Sequence, residues 1–185
     1  MLINHKEACV LIFSMQKDFL PSLINGQNVL DSCYWLVDLA NHFDVPVIII
    51  EHKKLGASIG TLTKIAQNPL HAEVVHFSCL KEPIVQDKIS KLKRKQFLLA
   101  GAESHIAISQ SAIDFKKNGS DTFVIVDAIT ARNEIDHLTA INRLNQLNIP
   151  IVTKEMVFFE FIDNSEYSNY IDMSLKFLDR RYIRE

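Results

Sequence analysis

The stretch Leu98-Leu99-Ala100-Gly101-Ala102-Glu103-Ser104-His105-Ile106-Ala107 decides the fold. It begins as a short apolar run, turns at a glycine and continues into a segment where Ile108, Ala112 and Phe115 recur at helical spacing. A strand, a glycine turn and a helix start, in this order, form the repeating unit of a parallel sheet with crossover helices. The turn also directs backbone N–H groups and the positive end of a helix toward one point, a geometry that suits a nucleophile and an oxyanion hole.

Five further apolar runs have the same character and complete a predicted sheet. Continuous β-branched runs are typical of parallel strands buried on both faces. Their alternation with helical segments predicts an α/β fold: a three-layer, doubly wound parallel sheet of six strands, in a single domain covering 1–185. The predicted strands cover 8–14, 46–50, 74–77, 97–100, 122–127 and 150–153.

Helical spacing of apolar residues is clearest in four segments between these strands. Asn118-Gly119 is typical of a helix end, and Asn133 followed by Asp136 is typical of a helix start. Two C-terminal helices are expected at about 155–162 and 166–178. The four sets of apolar residues are Val29, Cys33, Leu36, Ala40 and Phe43; Val85, Ile89 and Leu92; Ile108, Ala112 and Phe115; and Leu138, Ile141 and Leu144.

The composition is that of an ordinary globular protein, with 48% hydrophobic and 23% charged residues among 185. A net charge of −2 provides no large basic field, so we expect neither nucleic acid nor a membrane as partner. The N-terminal apolar run 8–13 is too short to cross a bilayer. Cys9, Cys33 and Cys79 are odd in number and lack C-x-x-C spacing, which predicts a reducing, cytoplasmic compartment.

Small-molecule binding remains open, and the loops after the strands are where a ligand is expected in an open α/β sheet. Four histidines could be considered as metal ligands, but they show neither H-x-H nor H-E-x-x-H spacing and no carboxylate accompanies them. We therefore expect no metal and no cofactor. The four histidines are His52, His71, His76 and His105.

Several motifs in the same order resemble those of the isochorismatase-like family of cysteine hydrolases. Residues 101–107 (GAESHIA) resemble the family's Gly-x-Glu-(Thr/Ala/Ser)-His-x-Cys, and residues 14–21 (SMQKDFLP) its Asp-x-Gln-x-x-Phe-x-Pro. Three further stretches, 51–56 (EHKKLG), 77–79 (FSC) and 154–160 (KEMVFFE), are similar to motifs of one branch. That branch contains the isochorismatase-domain-containing and mitochondrial-associated proteins.

The resemblance implies a sheet of order 3-2-1-4-5-6, self-association into a homo-oligomer, and a catalytic Asp, Lys and Cys in active members. The corresponding positions here hold Ser14, Val74 and Ala107. Alanine has no nucleophilic atom, a serine hydroxyl is a poor proton acceptor at neutral pH, and valine offers no charge to stabilise a thiolate or a developing anion. We therefore expect a catalytically inactive binding or regulatory module with a hydrolase fold.

An enzyme that acts by other means is the alternative, with Cys79 or an activated water hydrolysing a small amide or ester-like substrate. Cys79 lies three residues after His76, so the two could form a displaced dyad. A buried structural cysteine is the competing interpretation and agrees better with the usual environment of free cysteines.

The remaining candidates for the pocket are Gln16, Phe19, Phe77 and Phe159, together with Glu103 and His105. Glu103 and His105 either shape a ligand pocket or serve the fold, with Glu103 fixing the turn and His105 satisfying a buried backbone group. Active relatives often hold a non-proline cis peptide before the helix, which would fall at Ala102-Glu103 here.

Overall fold

The structure is a computed structural model that describes residues 1–178. Its centre is a six-stranded sheet in which every neighbouring pair of strands is parallel, in the order β3-β2-β1-β4-β5-β6. The predicted α/β fold and strand order are both confirmed. The strands are β1 (Ala8–Phe13), β2 (Val47–His52), β3 (Leu70–Val74), β4 (Gln96–Ala102), β5 (Asp121–Thr130) and β6 (Ile151–Val152).

Alternate residues of the central strands enter two separate apolar layers, one on each face of the sheet. Val10 and Ile12 of β1 join one cluster, whereas Cys9, Leu11 and Phe13 join the other. The doubly wound, three-layer arrangement therefore follows from period-2 alternation in strands that are apolar on both faces.

Seven α-helices within residues 1–178 connect and cover the strands. The first, sixth and seventh helices contribute to the cluster that contains Val10, and the third, fourth and fifth to the cluster that contains Leu11. The helices are α1 (Gly26–His42), α2 (Gly60–Ile65), α3 (Pro83–Leu92), α4 (Ser109–Lys117), α5 (Glu134–Gln146), α6 (Lys154–Ile162) and α7 (Tyr170–Leu178). Within residues 1–178, none of them is long and apolar enough to cross a membrane.

The largest differences from the predictions concern one strand and two helices. The third strand covers Leu70–Val74 rather than 74–77, because this edge strand is only partly buried and lacks the apolar run used to find strands. The last helix begins at Tyr170 rather than 166, since the Asn164 side chain accepts a hydrogen bond from the Glu166 N–H at 2.9 Å and forms a turn there. Helix α2 was not predicted.

Both predicted helix boundaries on α4 and α5 are confirmed. Helix α4 ends at Lys117, and Gly119 follows with a φ of +77°, as a glycine after a helix end often does. Asn133 is the N-cap residue of α5.

Gly101 is the glycine of the opening stretch, and it pairs with Phe13 in the register of β4 and β1. Its φ is +106°, and a Cβ atom there would lie 2.1 Å from the carbonyl oxygen of Phe13. Only glycine allows this approach, which brings the carboxyl ends of β1 and β4 together at the point where the strand order reverses.

Candidate functional site

A cavity of about 280 Å³ opens at the carboxyl ends of the strands, as expected for a doubly wound sheet. Its apolar wall comes from Phe13, Phe19, Ile50, Leu55 and Phe77. Phe19 and Phe77, two of the pocket candidates from the sequence, are among these residues. The other lining residues are Ser14, His52, Val74, His76, Ala102, Glu103, Ile106, Ala107 and Arg132.

The three positions singled out from the motifs converge on this cavity from separate elements. Ser14 follows β1 and is anchored through its N–H to the carbonyl of Ile50 at 2.9 Å. Val74 ends β3, and Ala107 lies in a π-helical turn, Ser104–Ile108, that leads into α4. All three line the same wall, so the place that the resemblance assigns to catalysis contains a hydroxyl, an isopropyl group and a methyl group.

Glu103 is held by Arg132 at the end of β4. The carboxyl oxygen Oε1 accepts hydrogen bonds from the Arg132 side-chain Nε at 2.9 Å and from its backbone N–H at 3.3 Å. The Glu103 carboxylate in turn raises the pKa of the Arg132 guanidinium. Glu103 thus connects the turn after β4 with the segment after β5, and its preceding peptide bond, Ala102-Glu103, is cis as expected.

Arg132 was not a candidate in the sequence analysis. It belongs to no motif, and the only available signal was its position just after the end of β5, where functional loops of such sheets occur.

His76 is oriented by Glu82, which lies at the start of α3. Oxygen Oε1 of Glu82 accepts three hydrogen bonds at 2.8 Å, from the N–H groups of Val75 and His76 and from Nδ1 of the His76 ring. These donors lower the pKa of Glu82 from 4.5 to about 2. Because a carboxylate can only accept, Nδ1 must carry the proton, and Nε2 of a neutral His76 is left as an acceptor.

A second imidazole lies against the exposed aromatic side of the cavity. The ring of His52 stacks on Phe77 with the centroids 5.9 Å apart and the planes at 14°. Phe77 remains 54% exposed, so it forms a rim beside the opening.

Gln16 and Cys79 lie outside the cavity wall, which corrects the expectation for both. The fully buried Gln16 accepts a hydrogen bond from the His52 N–H at 2.8 Å and donates to the carbonyls of His52 and Gly56. It therefore fixes the loop after β2. Cys79 is also fully buried, and burial raises the pKa of its thiol to about 12.

The dyad of Cys79 with His76 is not formed. The imidazole is bonded to Glu82, and the N–H of Cys79 donates to the Ser111 hydroxyl at 3.0 Å. A nucleophilic thiol needs to be accessible and readily ionised, and Cys79 is neither. The structural interpretation of this cysteine fits its surroundings.

His105 and Phe159 are also absent from the cavity wall. His105 does not bond a backbone group as expected: its Nδ1 is buried without a hydrogen-bond partner among residues 1–178, and its Nε2 lies 3.8 Å from the Asp136 carboxylate. Phe159 is 44% exposed on α6, which packs on the opposite face of the sheet from α4. Across the described part of the chain, no three His, Cys, Asp or Glu side chains are grouped as metal ligands.

Comparison with known proteins agrees with this architecture. The family model of the isochorismatase domain matches residues 8–156. The chain belongs to the isochorismatase family. Among its family relatives, isochorismatase family protein 1A of Dictyostelium discoideum is 25% identical over 174 residues, which cover 91% of this chain and 84% of the relative. Isochorismatase domain-containing protein 2 of Danio rerio is 25% identical over 170 residues, covering 91% and 85%.

Two solved structures show the same fold as this isochorismatase-family chain. The MAR1 ribonuclease of Caenorhabditis elegans superposes with a TM-score of 0.89 at 23% identity, covering 96% of this chain and 92% of that one. The YcaC gene product of Escherichia coli, described as an octameric hydrolase of unknown specificity, also reaches 0.89 at 19% identity, covering 99% and 94%.

Proposed function

We propose that this isochorismatase-family protein is a small-molecule binding or regulatory module without the cysteine chemistry of its active relatives. The observation that carries the proposal is an open cavity of about 280 Å³ whose wall includes Ser14, Val74 and Ala107. The volume allows a small ligand to enter, while the three side chains supply no thiol, no carboxylate base and no cation.

The alternative, hydrolysis by another mechanism, has less support. Cys79 is buried outside the cavity with a raised thiol pKa, so attack by this residue would require it to be exposed first. Removing the nucleophile of a catalytic unit costs on the order of 10⁶ in kcat in a serine hydrolase, and Ala107 occupies the position of the family's nucleophile here.

Two measurements test the proposal. On a panel of amides and esters, the purified protein and an Ala107→Cys variant should both show no turnover above background, since the variant still lacks the carboxylate and the cation. Turnover by the wild type that survives Cys79→Ala would contradict the proposal and indicate an activated water.

Binding is tested by a metabolite screen with thermal shift as the readout. A ligand of the cavity should raise Tm in wild type and lose this effect in Ala107→Leu, which fills the cavity wall. Ala57→Leu is the matched control, because Ala57 is exposed and lies outside the wall. Equal shifts in both variants for every hit would place binding elsewhere and contradict the proposal.

The proposal includes a homo-oligomer in a reducing, cytoplasmic compartment. The octameric assembly of the YcaC gene product supports self-association, and Met156 and Phe159 leave apolar surface exposed on α6. Three free, buried cysteines agree with a reducing environment. Light scattering after gel filtration tests the first part, and a monomer at micromolar concentration would contradict it.

A further inference from the structure

Glu103 presents an uncommitted carboxylate oxygen at the cavity wall. Oxygen Oε1 takes both hydrogen bonds from Arg132, and none of the residues 1–178 donates to Oε2. Glu103 as a whole residue is only 7% exposed, and it lines the cavity. A carboxylate oxygen of a mostly buried side chain gains stability when a donor reaches it, which makes Oε2 an anchor for a ligand N–H group.

His76 supplies a second acceptor on the same cavity. Its ring orientation is fixed by the hydrogen bond from Nδ1 to Glu82, and Nε2 has no partner within the described residues. The Glu82 carboxylate keeps its negative charge down to a pH near its lowered pKa of about 2. Nε2 of the neutral imidazole therefore acts as a hydrogen-bond acceptor, while Nδ1 on the other side of the ring is bonded to the negatively charged Glu82 carboxylate.

The charges around the cavity favour a cation over an anion. Arg132 carries the one formal positive charge among the described lining residues, and it is paired with Glu103. Glu82 then leaves a net formal charge of −1 for the lining and its directly bonded partner when the histidines are neutral. Val74 is uncharged, whereas the family's lysine at this position would cancel the net charge of −1.

The rest of the wall fits an apolar body. Phe13, Phe19, Ile50 and Leu55 enclose the cavity, and the stacked pair of Phe77 and His52 offers aromatic surface beside its opening. Aromatic faces attract cations as well as apolar groups.

We infer that this cavity binds a small apolar amine, with its ammonium N–H groups directed to the carboxylate of Glu103 and to Nε2 of His76. The inference rests on the proposed function, that the cavity is a ligand site, and specifies the chemical class of the ligand. The inference predicts that an amine binds more tightly than a carboxylate or an amide of similar shape.

The test compares four probes that share a benzyl or phenyl body: benzylamine, benzyl alcohol, benzamide and benzoate. Isothermal titration calorimetry with the full chain at pH 7 should give the highest affinity for benzylamine and the lowest for benzoate. Glu103→Gln should weaken benzylamine binding by roughly tenfold or more, because it removes a charged acceptor that is almost completely buried. The same substitution should change the affinity for benzyl alcohol much less.

Two further variants keep the result interpretable if Glu103→Gln folds poorly. Glu82→Gln removes the charge behind His76 without altering the wall and should weaken benzylamine binding severalfold. Glu155→Gln is the matched control, because it makes the same change of charge at an exposed position on α6 and should leave binding unchanged.

The outcomes separate this inference from the proposed function. Benzoate or benzamide binding more tightly than benzylamine, with the effect lost in Ala107→Leu, would overturn the amine assignment and leave the cavity as a ligand site. Benzylamine affinity that is equal in wild type, Glu103→Gln and Glu82→Gln would also overturn it, as would no benzylamine binding at all. If the cavity were not a ligand site at all, the metabolite screen would show this, because none of its hits would be sensitive to Ala107→Leu.

Discussion

Replacing Gly101 by alanine should lower the free energy of unfolding far more than the strain of an alanine at a positive φ alone would. The added Cβ would lie 2.1 Å from the carbonyl oxygen of Phe13 and 2.8 and 2.9 Å from its N and C atoms, where real Cβ contacts stay above 3.0 Å. The obstacle is backbone in the register pair of β1 and β4, so no flexible side chain can move aside. Shifting two central strands by about 1 Å should cost more than about 4 kcal/mol, which exceeds the effect of most substitutions.

Gly119→Ala provides the matched control, since Gly119 also has a positive φ, of +77°, but has no atom within 4 Å of the added Cβ. Gly119→Ala should lose only the stability that corresponds to the strain of an alanine in the left-handed region. This cost is about 1–2 kcal/mol, or roughly 2–8 °C in Tm for a domain of this size. Urea denaturation followed by circular dichroism measures both changes. If Gly101→Ala were no more destabilising than Gly119→Ala, close contact between β1 and β4 would not be the reason for this glycine.

Three other expectations concern a helix cap, acid stability and the thiols. Thr153→Ala should destabilise the protein by about 1 kcal/mol in urea denaturation and Thr153→Ser should not, because the Thr153 hydroxyl accepts a hydrogen bond from the Met156 N–H at 3.2 Å at the start of α6; equal losses would exclude the cap as the cause. The pKa of Glu82 is lowered from 4.5 to about 2 in the folded protein, so its stabilising contribution is complete above pH 4.5 and is lost as the pH falls toward 2. Tm should therefore fall more steeply between pH 5 and pH 2 in wild type than in Glu82→Gln, and parallel curves would contradict the assignment. The three buried thiols, whose pKa values are all raised by burial, should react with a thiol reagent only after denaturation; rapid reaction of any one in the native protein would show that a cysteine is accessible.

The sequence predicted the elements wherever burial leaves a local pattern. Runs such as 8–14 and 122–127 are apolar on both faces, so they are recognisable as central strands without knowledge of their neighbours. The edge strand Leu70–Val74 is covered on fewer sides and alternates in burial, and its true position became apparent only in the sheet. A short helix such as α2 has too few turns to show a period.

The candidate site also has a part that the sequence predicted and a part that it did not. Ser14, Val74 and Ala107 were found because each occupies a recognisable place in a motif, and the structure brings them to one cavity. Gln16 lies two residues after Ser14, and counting alternate residues does not tell where its side chain points. Ser14 has a φ of +49°, which interrupts the strand alternation, and Gln16 turns into the loop after β2.

By itself the sequence determined the α/β fold, which follows from the local apolar pattern. It also determined the side chains at the three motif positions, which the resemblance to the isochorismatase-like family had pointed out. Only the tertiary structure decided what surrounds them. Arg132 reaches Glu103 across 29 positions of sequence, and Glu82 turns His76 into a fixed acceptor. Such contacts depend on how the strand ends are placed beside one another, and hydrogen-bond partners brought together by the order of strands leave no period or motif in the chain.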